Sequence, residues 1–303
     1  MSLMKQFQQG DLRALARLIS LSEDGDSSIM DLLSDVFLLP GHAKVIGITG
    51  PPGAGKSTLL NSFVRVLRGE KKKVAVLAVD PVSPFSGGAL LGDRIRLTDH
   101  FNDPDVFIRS LSTRGKLGGL SLATRQGVTL LDRFGFDYIF VETVGVGQSE
   151  VDIRKVADVT LVTLVPEWGD SIQALKSGIL EIADIFVVNK SDREGADRIE
   201  TELRNIMQIA NKEDTPIQKT TINDQTTVQS LLDIIENYLA KNQLKVQQRR
   251  NSAIGDTAVE LLDNWVIKEA KNWLQKELKG SSNPYEIIKR FQKKHPPGSL
   301  FSE

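Results

Sequence analysis

One stretch constrains this chain more than any other: Gly50-Pro51-Pro52-Gly53-Ala54-Gly55-Lys56-Ser57-Thr58. It fits the pattern G-x-x-x-x-G-K-[ST], follows the apolar run Val45–Thr49, and opens a helical pattern at Ser57. Glycines at this spacing let the backbone curl until successive N–H groups point inward at phosphate oxygens. Lys56 adds a charge near the β and γ phosphates, and the Ser57 hydroxyl is a candidate ligand for Mg²⁺. Gly53, Ala54, Gly55 and Thr58 complete the cradle at the helix N-terminus. The expectation is a nucleoside-triphosphate site, and with it a fold that places this loop between a strand and a helix.

The rest of the middle block supplies such a fold. Short β-branched runs occupy Val45–Thr49, Val74–Val79, Val106–Arg109, Tyr138–Glu142, Val159–Val165, Ile185–Asn189 and Gln218–Thr221. Most are almost continuously apolar, as strands covered on both faces are. Helical patterns at Ser57–Leu67, Leu120–Phe134, Ser171–Ile182 and Val228–Leu239 separate them. The prediction is an α/β P-loop NTPase, its mainly parallel sheet covered by helices on both faces, spanning residues 41–241. Residues 1–40 form a helical N-terminal extension, with Asp26 or Ser27 expected to cap its second helix. Met1–Leu3 precede a second methionine and are set aside. Residues 242–303 form a helical C-terminal arm.

Composition narrows the function. Basic and acidic residues number 38 and 39, so no overall positive field invites nucleic acid or an anionic membrane. The chain has no cysteine and only His42, His100 and His295, far apart, which argues against a protein-bound transition metal. No run is long enough to span a membrane and the N-terminus lacks a secretory signal pattern, so a cytoplasmic location is expected.

The base is read from Asn189-Lys190-Ser191-Asp192, which ends the run Ile185–Val188 at a strand's C-terminal edge. A carboxylate there accepts both N1–H and the 2-amine of guanine, whereas adenine has no 2-amine and would leave Asp192 unpaired. Thr220-Thr221-Ile222, after the next strand, could give backbone contacts to the same base. Asp80, Asp93 and Glu142 are the candidate acids for Mg²⁺ and for the attacking water, because Mg²⁺ takes oxygen ligands and needs only one or two from protein. The glycine-rich loops Ser86–Gly88 and Gly145–Gly147 read as switches whose amides bind a γ-phosphate. Arg94, Arg96, Arg109, Arg114 and Lys176 are the cations available to offset charge in the transition state.

The arm holds 11 basic and 7 acidic residues, and two of the three tryptophans, Trp265 and Trp273, lie on one helical stripe running from Ile254 to Leu278. Two readings stay open: a helix packed on its own domain, or a self-association arm that buries the indoles against a second copy.

Taken in order, GPPGAGKST, LAVDPVSPFSGGALLGDRIRL, IRSLSTRGKLGGLS, FVETVGVGQSE, PEWGDSIQALKSGILEIAD and NKSD resemble the MeaB/ArgK GTPase family, relatives of the human methylmalonic aciduria type A protein. The resemblance covers about Leu12 to Leu239, with a looser match in the arm. It implies a G-protein chaperone that binds cobalamin-dependent acyl-CoA mutases, chiefly methylmalonyl-CoA mutase, gates adenosylcobalamin delivery and protects the mutase. It also implies a homodimer joined by the C-terminal arm. By motif, Lys56 and Ser57 match the phosphate-loop residues, Asp80, Asp93 and Glu142 the magnesium and switch acids, and Asn189, Lys190 and Asp192 the guanine-reading set. Pro166–Lys176 matches a third switch facing the partner, with Lys176 at its lysine. Trp168 and the less serine-rich Pro81–Phe85 depart from the family pattern on loops expected to face the client, which leaves room for an isobutyryl- or ethylmalonyl-type mutase in that role.

Two other classes fit the loop less well. An ATP-dependent kinase, the label attached to lysine/arginine/ornithine transport, would make Asn189–Asp192 incidental. A metal-insertion GTPase of the hydrogenase or urease type calls for cysteines or clustered histidines, which are lacking.

Overall fold

The seven apolar runs become seven strands in a computed structural model, which describes residues 2–26, 28–80, 99–100, 102–112, 122–143, 149–166, 177–221, 224–277 and 283–294. They are β1 (Lys44–Thr49), β2 (Val74–Asp80), β3 (Val106–Ser112), β4 (Tyr138–Thr143), β5 (Val159–Leu164), β6 (Ile185–Val188) and β7 (Ile217–Lys219). Their order across the sheet is β3-β2-β4-β1-β5-β6-β7, and every neighbouring pair is parallel. β1 stands between β4 and β5, so the chain winds outward from it in both directions. In such a sheet ligands bind beyond the carboxyl ends of the strands at that reversal.

The helices are α1 (Leu3–Gln8), α2 (Leu12–Asp24), α3 (Ile29–Phe37), α4 (Lys56–Gly69), α5 (Leu122–Phe134), α6 (Ser149–Asp152), α7 (Ser177–Ile182), α8 (Ala196–Ile209), α9 (Gln225–Lys241), α10 (Gln243–Glu277) and α11 (Pro284–Lys294). On one face α4 and α9 bury Leu59, Phe63, Leu67, Val228 and Ile235 against Ile46, Ile48, Phe140 and Leu161. Phe63 stacks on Phe140 with ring centroids 5.2 Å apart. Each such side chain contributes roughly 1.5–3 kcal/mol by leaving water. The opposite face is covered by α2, α5 and α8, with Leu15, Leu18, Leu130, Ile199 and Leu203 packed over Val45, Ile139 and Val141.

Three details differ from the sequence reading. Leu3 belongs to the fold: α1 starts there, the Ser2 hydroxyl accepts from the Lys5 N–H at 3.4 Å, and Leu3 packs against the core. Ser28 is the N-cap of α3; the Asp26 carboxylate stands two residues outside and accepts from the Ser28 N–H at 2.9 Å, while Ser27 lies outside the described residues. Finally, α8 has no counterpart among the expected helices, although Ile199, Leu203 and Met207 carry the spacing of a buried helix face.

The chain divides into two compact units, Met1–Ala253 and Ile254–Glu303. In the first, two buried aspartates stand just ahead of β5 and β6. Asp158 accepts from the Val45 N–H at 2.9 Å, and Asp184 from the Thr160 N–H at 3.0 Å. Arg249 and Arg250, adjacent on α10, pair with Asp184 and Asp158 at 2.6 Å each. Burial opposes the charge on Asp184, but hydrogen bonds and attraction from Arg249, Tyr238 and Lys245 outweigh it, and its pKa lies below the ordinary carboxylate value. In the second unit Trp273 meets Phe291 edge-on at 5.1 Å, and Ile287 is buried. Ile254, Val259, Leu262, Trp265 and Ile267 are exposed. No described helix is long and apolar enough to cross a membrane.

Candidate functional site

The phosphate loop leaves β1 at Gly50 and becomes α4 at Lys56. Gly50 has φ +137°, and a Cβ there would stand 2.1 Å from the Thr163 carbonyl oxygen. Gly55 has φ +79°, and a Cβ there would stand 2.4 Å from the Asn189 amide nitrogen. Both positions therefore exclude any side chain. Gly55 is also the N-cap of α4 and offers no side chain to the helix's first N–H groups, which leaves them available to an anion. Lys56 is buried, and its Nζ donates to the carbonyls of Gly50 at 2.7 Å and Pro51 at 3.0 Å. The ammonium is thereby held against the first residues of the loop, and Thr58 in the first turn of α4 is half-buried.

Ser57 and Glu142, two of the candidate magnesium ligands, meet directly: Ser57 Oγ donates to Glu142 Oε1 at 2.7 Å, and both are buried. A hydroxyl and a carboxylate at the first turn of the loop's helix are hard oxygen donors, the chemistry Mg²⁺ takes. Asp80 closes β2, where its backbone lies in register with Ser112. Its side chain lies outside what is described, as do Asp93, Gly145 and Lys176, the two switch loops, and Arg94, Arg96 and Arg114. Arg109 is placed elsewhere: from β3 it pairs with Glu23 at 2.6 Å and donates to Ser20 Oγ at 3.0 Å, which ties α2 to the sheet.

The base-reading segment begins where β6 ends. Asn189 is buried and aims its amide at the phosphate loop, donating to the Ala54 carbonyl at 2.9 Å. Lys190 takes φ +55°, a region a lysine seldom adopts, and its Nζ donates to the Gly53 carbonyl at 3.1 Å. Asp192 is exposed and accepts from Thr221 Oγ1 at 2.9 Å. Thr220 Oγ1 donates to Asn189 Oδ1 at 3.1 Å. The sequence reading expected backbone contacts from the Thr220–Ile222 stretch. The structure adds that both threonine hydroxyls orient the motif's own side chains, while Ile222 lies outside the described residues. Two adjacent hydroxyls just after β7 were the available signal.

Residues 15–275 match the family model described as the methylmalonyl Co-A mutase-associated GTPase MeaB. The chain belongs to the MeaB family of GTPases. The family is one of GTPases, and a GTPase takes a guanine nucleotide.

Among the relatives of this MeaB-family chain is a Pyrococcus horikoshii protein named as a GTPase, 56% identical over 195 residues, which cover 64% of this chain and 62% of that protein. A mouse protein named methylmalonic aciduria type A homolog, mitochondrial, is 44% identical over 147 residues, 48% of this chain and 35% of that one. The matched stretches thus span less than two thirds of these relatives' lengths. The crystal structure of a LAO/AO transport system kinase superposes with a TM-score of 0.70 over 96% of this chain and 95% of that one, at 22% identity. That likeness shows the fold.

Proposed function

We propose that the chain is a Mg²⁺-dependent GTPase that chaperones a cobalamin-dependent acyl-CoA mutase, with methylmalonyl-CoA mutase the first candidate client. GTP binding and hydrolysis would gate adenosylcobalamin delivery and protect the mutase. The observation that carries the nucleotide half is the tie between the two ends of the site, in which Asn189 and Lys190 hold the phosphate loop while Thr221 orients Asp192. The client half rests on the family's description.

In this reading Lys56 offsets charge on the β and γ phosphates, and the N–H groups of Gly53, Ala54, Gly55 and Thr58 receive their oxygens. Ser57 and Glu142 hold Mg²⁺, with Asp80 and Asp93 as further candidate ligands. Bound there, the ion neutralises charge that develops on the phosphate oxygens. Glu142 and Asp93 are the candidate acids for ordering the attacking water, and Gly145 offers its amide to the γ-phosphate. Lys176 is the catalytic candidate on the partner-facing segment. The protein works in the cytoplasm as a homodimer, its contact formed by the second unit, whose apolar side chains are mostly uncovered.

The kinase reading draws on likeness to the LAO/AO transport system kinase, with which this chain shares only the fold. Asp192 braced by Thr221 favours guanine over adenine and speaks against it.

The test is GTP turnover by the purified protein with and without a cobalamin-dependent acyl-CoA mutase from the same source. Stimulation by the mutase is expected. Turnover indifferent to every such mutase would overturn the client half and leave the GTPase intact.

A further inference from the structure

β1 and β4 pair through their backbones from Lys44↔Tyr138 to Ile48↔Glu142. One residue further on, β1 is about to become the phosphate loop at Gly50, and β4 ends at Thr143. There the side chains continue what the backbones leave off: Thr143 Oγ1 donates to Thr49 Oγ1 at 2.9 Å, and both residues are 0% exposed. Pairing is not automatic for a hydroxyl in this part of the core. Thr160 and Thr163 on the adjacent β5 bury theirs with no hydrogen-bond partner.

Glu142 and Thr143 are consecutive on a strand, so they point to opposite faces of the sheet. Glu142 reaches the α4 face and Ser57. Thr143 follows Ile139 and Val141, which pack in the opposite layer. The end of β4 is therefore held on both sides, by Ser57 through Glu142 and by Thr49 through Thr143. Both anchors lie within the segment that runs from the base of the phosphate loop into α4.

We infer that Thr49 and Thr143 are positioning residues for GTP hydrolysis. Their bond fixes how the last residues of β4 stand against the base of the phosphate loop, and so holds the Glu142 carboxylate where Ser57 meets it. Neither threonine touches nucleotide in this scheme; they act through Glu142. The inference rests on the GTPase reading and adds residues that no phosphate-loop pattern contains.

Thr143→Val keeps the shape and removes the donor, and Thr49→Val removes the same bond from the other side. Each is expected to lower kcat for GTP by about 5–10-fold and to raise the Mg²⁺ concentration needed for half-maximal turnover, with KM little changed. In titrations with a fluorescent GDP analogue, the Mg²⁺ concentration that half-saturates the Mg²⁺-dependent gain in binding should rise likewise, with binding in EDTA unchanged. Thr143→Ser, which keeps the hydroxyl, should restore both readings, and the double valine variant should be no worse than either single one. Wild-type kcat and Mg²⁺ dependence in both valine variants would overturn the inference, even if their Tm fell. So would a serine variant as impaired as valine, or fully additive valine effects. A wild-type protein that does not hydrolyse GTP would instead overturn the GTPase reading itself.

Discussion

Asn189 Nδ2 donates to the Ala54 carbonyl at 2.9 Å, and through that bond the strand that presents Asp192 is tied to the loop that holds phosphate. The same amide nitrogen stands where a Cβ on Gly55 would be, which makes a glycine at position 55 and an asparagine at position 189 parts of one fit. Asn189→Ala would leave the Ala54 carbonyl and the Thr220 hydroxyl without their buried partner, a loss of about 1–3 kcal/mol. Because both ends of the site depend on it, GDP affinity should fall by about 10–100-fold, as measured by isothermal titration calorimetry. An unchanged affinity would separate the two ends.

Asp192→Asn should exchange base preference rather than abolish binding. An amide in place of the carboxylate offers a donor to the 2-oxo group of xanthine and no longer accepts two guanine N–H groups. GTP affinity is expected to drop by about 1.5–3 kcal/mol, the range for a hydrogen bond to a charged group, while xanthosine triphosphate improves. Competition between the two nucleotides checks this, and unchanged selectivity would contradict the role of Asp192.

Arg249→Ala should destabilise the first unit in a pH-dependent way. Asp184 has a pKa below its ordinary value of about 4, so its contribution is present above that value and is lost as pH falls through the lowered one. Without the guanidinium, burial acts with less opposition, the carboxyl takes a proton at higher pH, and the penalty shrinks. A deficit of about 3–5 kcal/mol at pH 7 is expected, narrowing as pH approaches 4. Denaturant unfolding across that range decides it; a deficit of constant size would show that the charge of Asp184 is not what Arg249 offsets.

Much of this was legible in the sequence because it rests on local rules. Almost continuous apolar runs marked most of the seven strands, since strands covered on both faces have no polar side to show. The phosphate loop declared itself through glycines that tolerate positive φ. Ser57 and Glu142 were both expected at one site, and they meet because the strand that carries Glu142 lies beside the strand that feeds the phosphate loop. Other features were not legible, since they depend on which strand lies beside which. Nothing in the order of residues says that Thr49 lies beside Thr143, or that Arg109 turns away to Glu23. Asn189 read as part of a base-recognition motif, but its amide braces the phosphate loop, a contact across 135 residues.

Trp265→Glu in the full chain should dissociate the proposed homodimer. Trp265 and Leu262 are each 51% exposed, and a carboxylate set into an apolar contact costs several kcal/mol unless it is paired. Light scattering is expected to give half the wild-type mass with GTP turnover retained. A dimer that persists would move the contact to the first unit.

The most direct measurement compares hydrolysis of GTP and ATP by the purified chain in Mg²⁺, with Lys56→Ala as the blank. GTP should be turned over slowly, ATP at the level of the blank, and Lys56→Ala should hydrolyse neither. Equal turnover of ATP, or undiminished turnover by Lys56→Ala, would contradict a guanine-specific site built on Lys56 and Asp192.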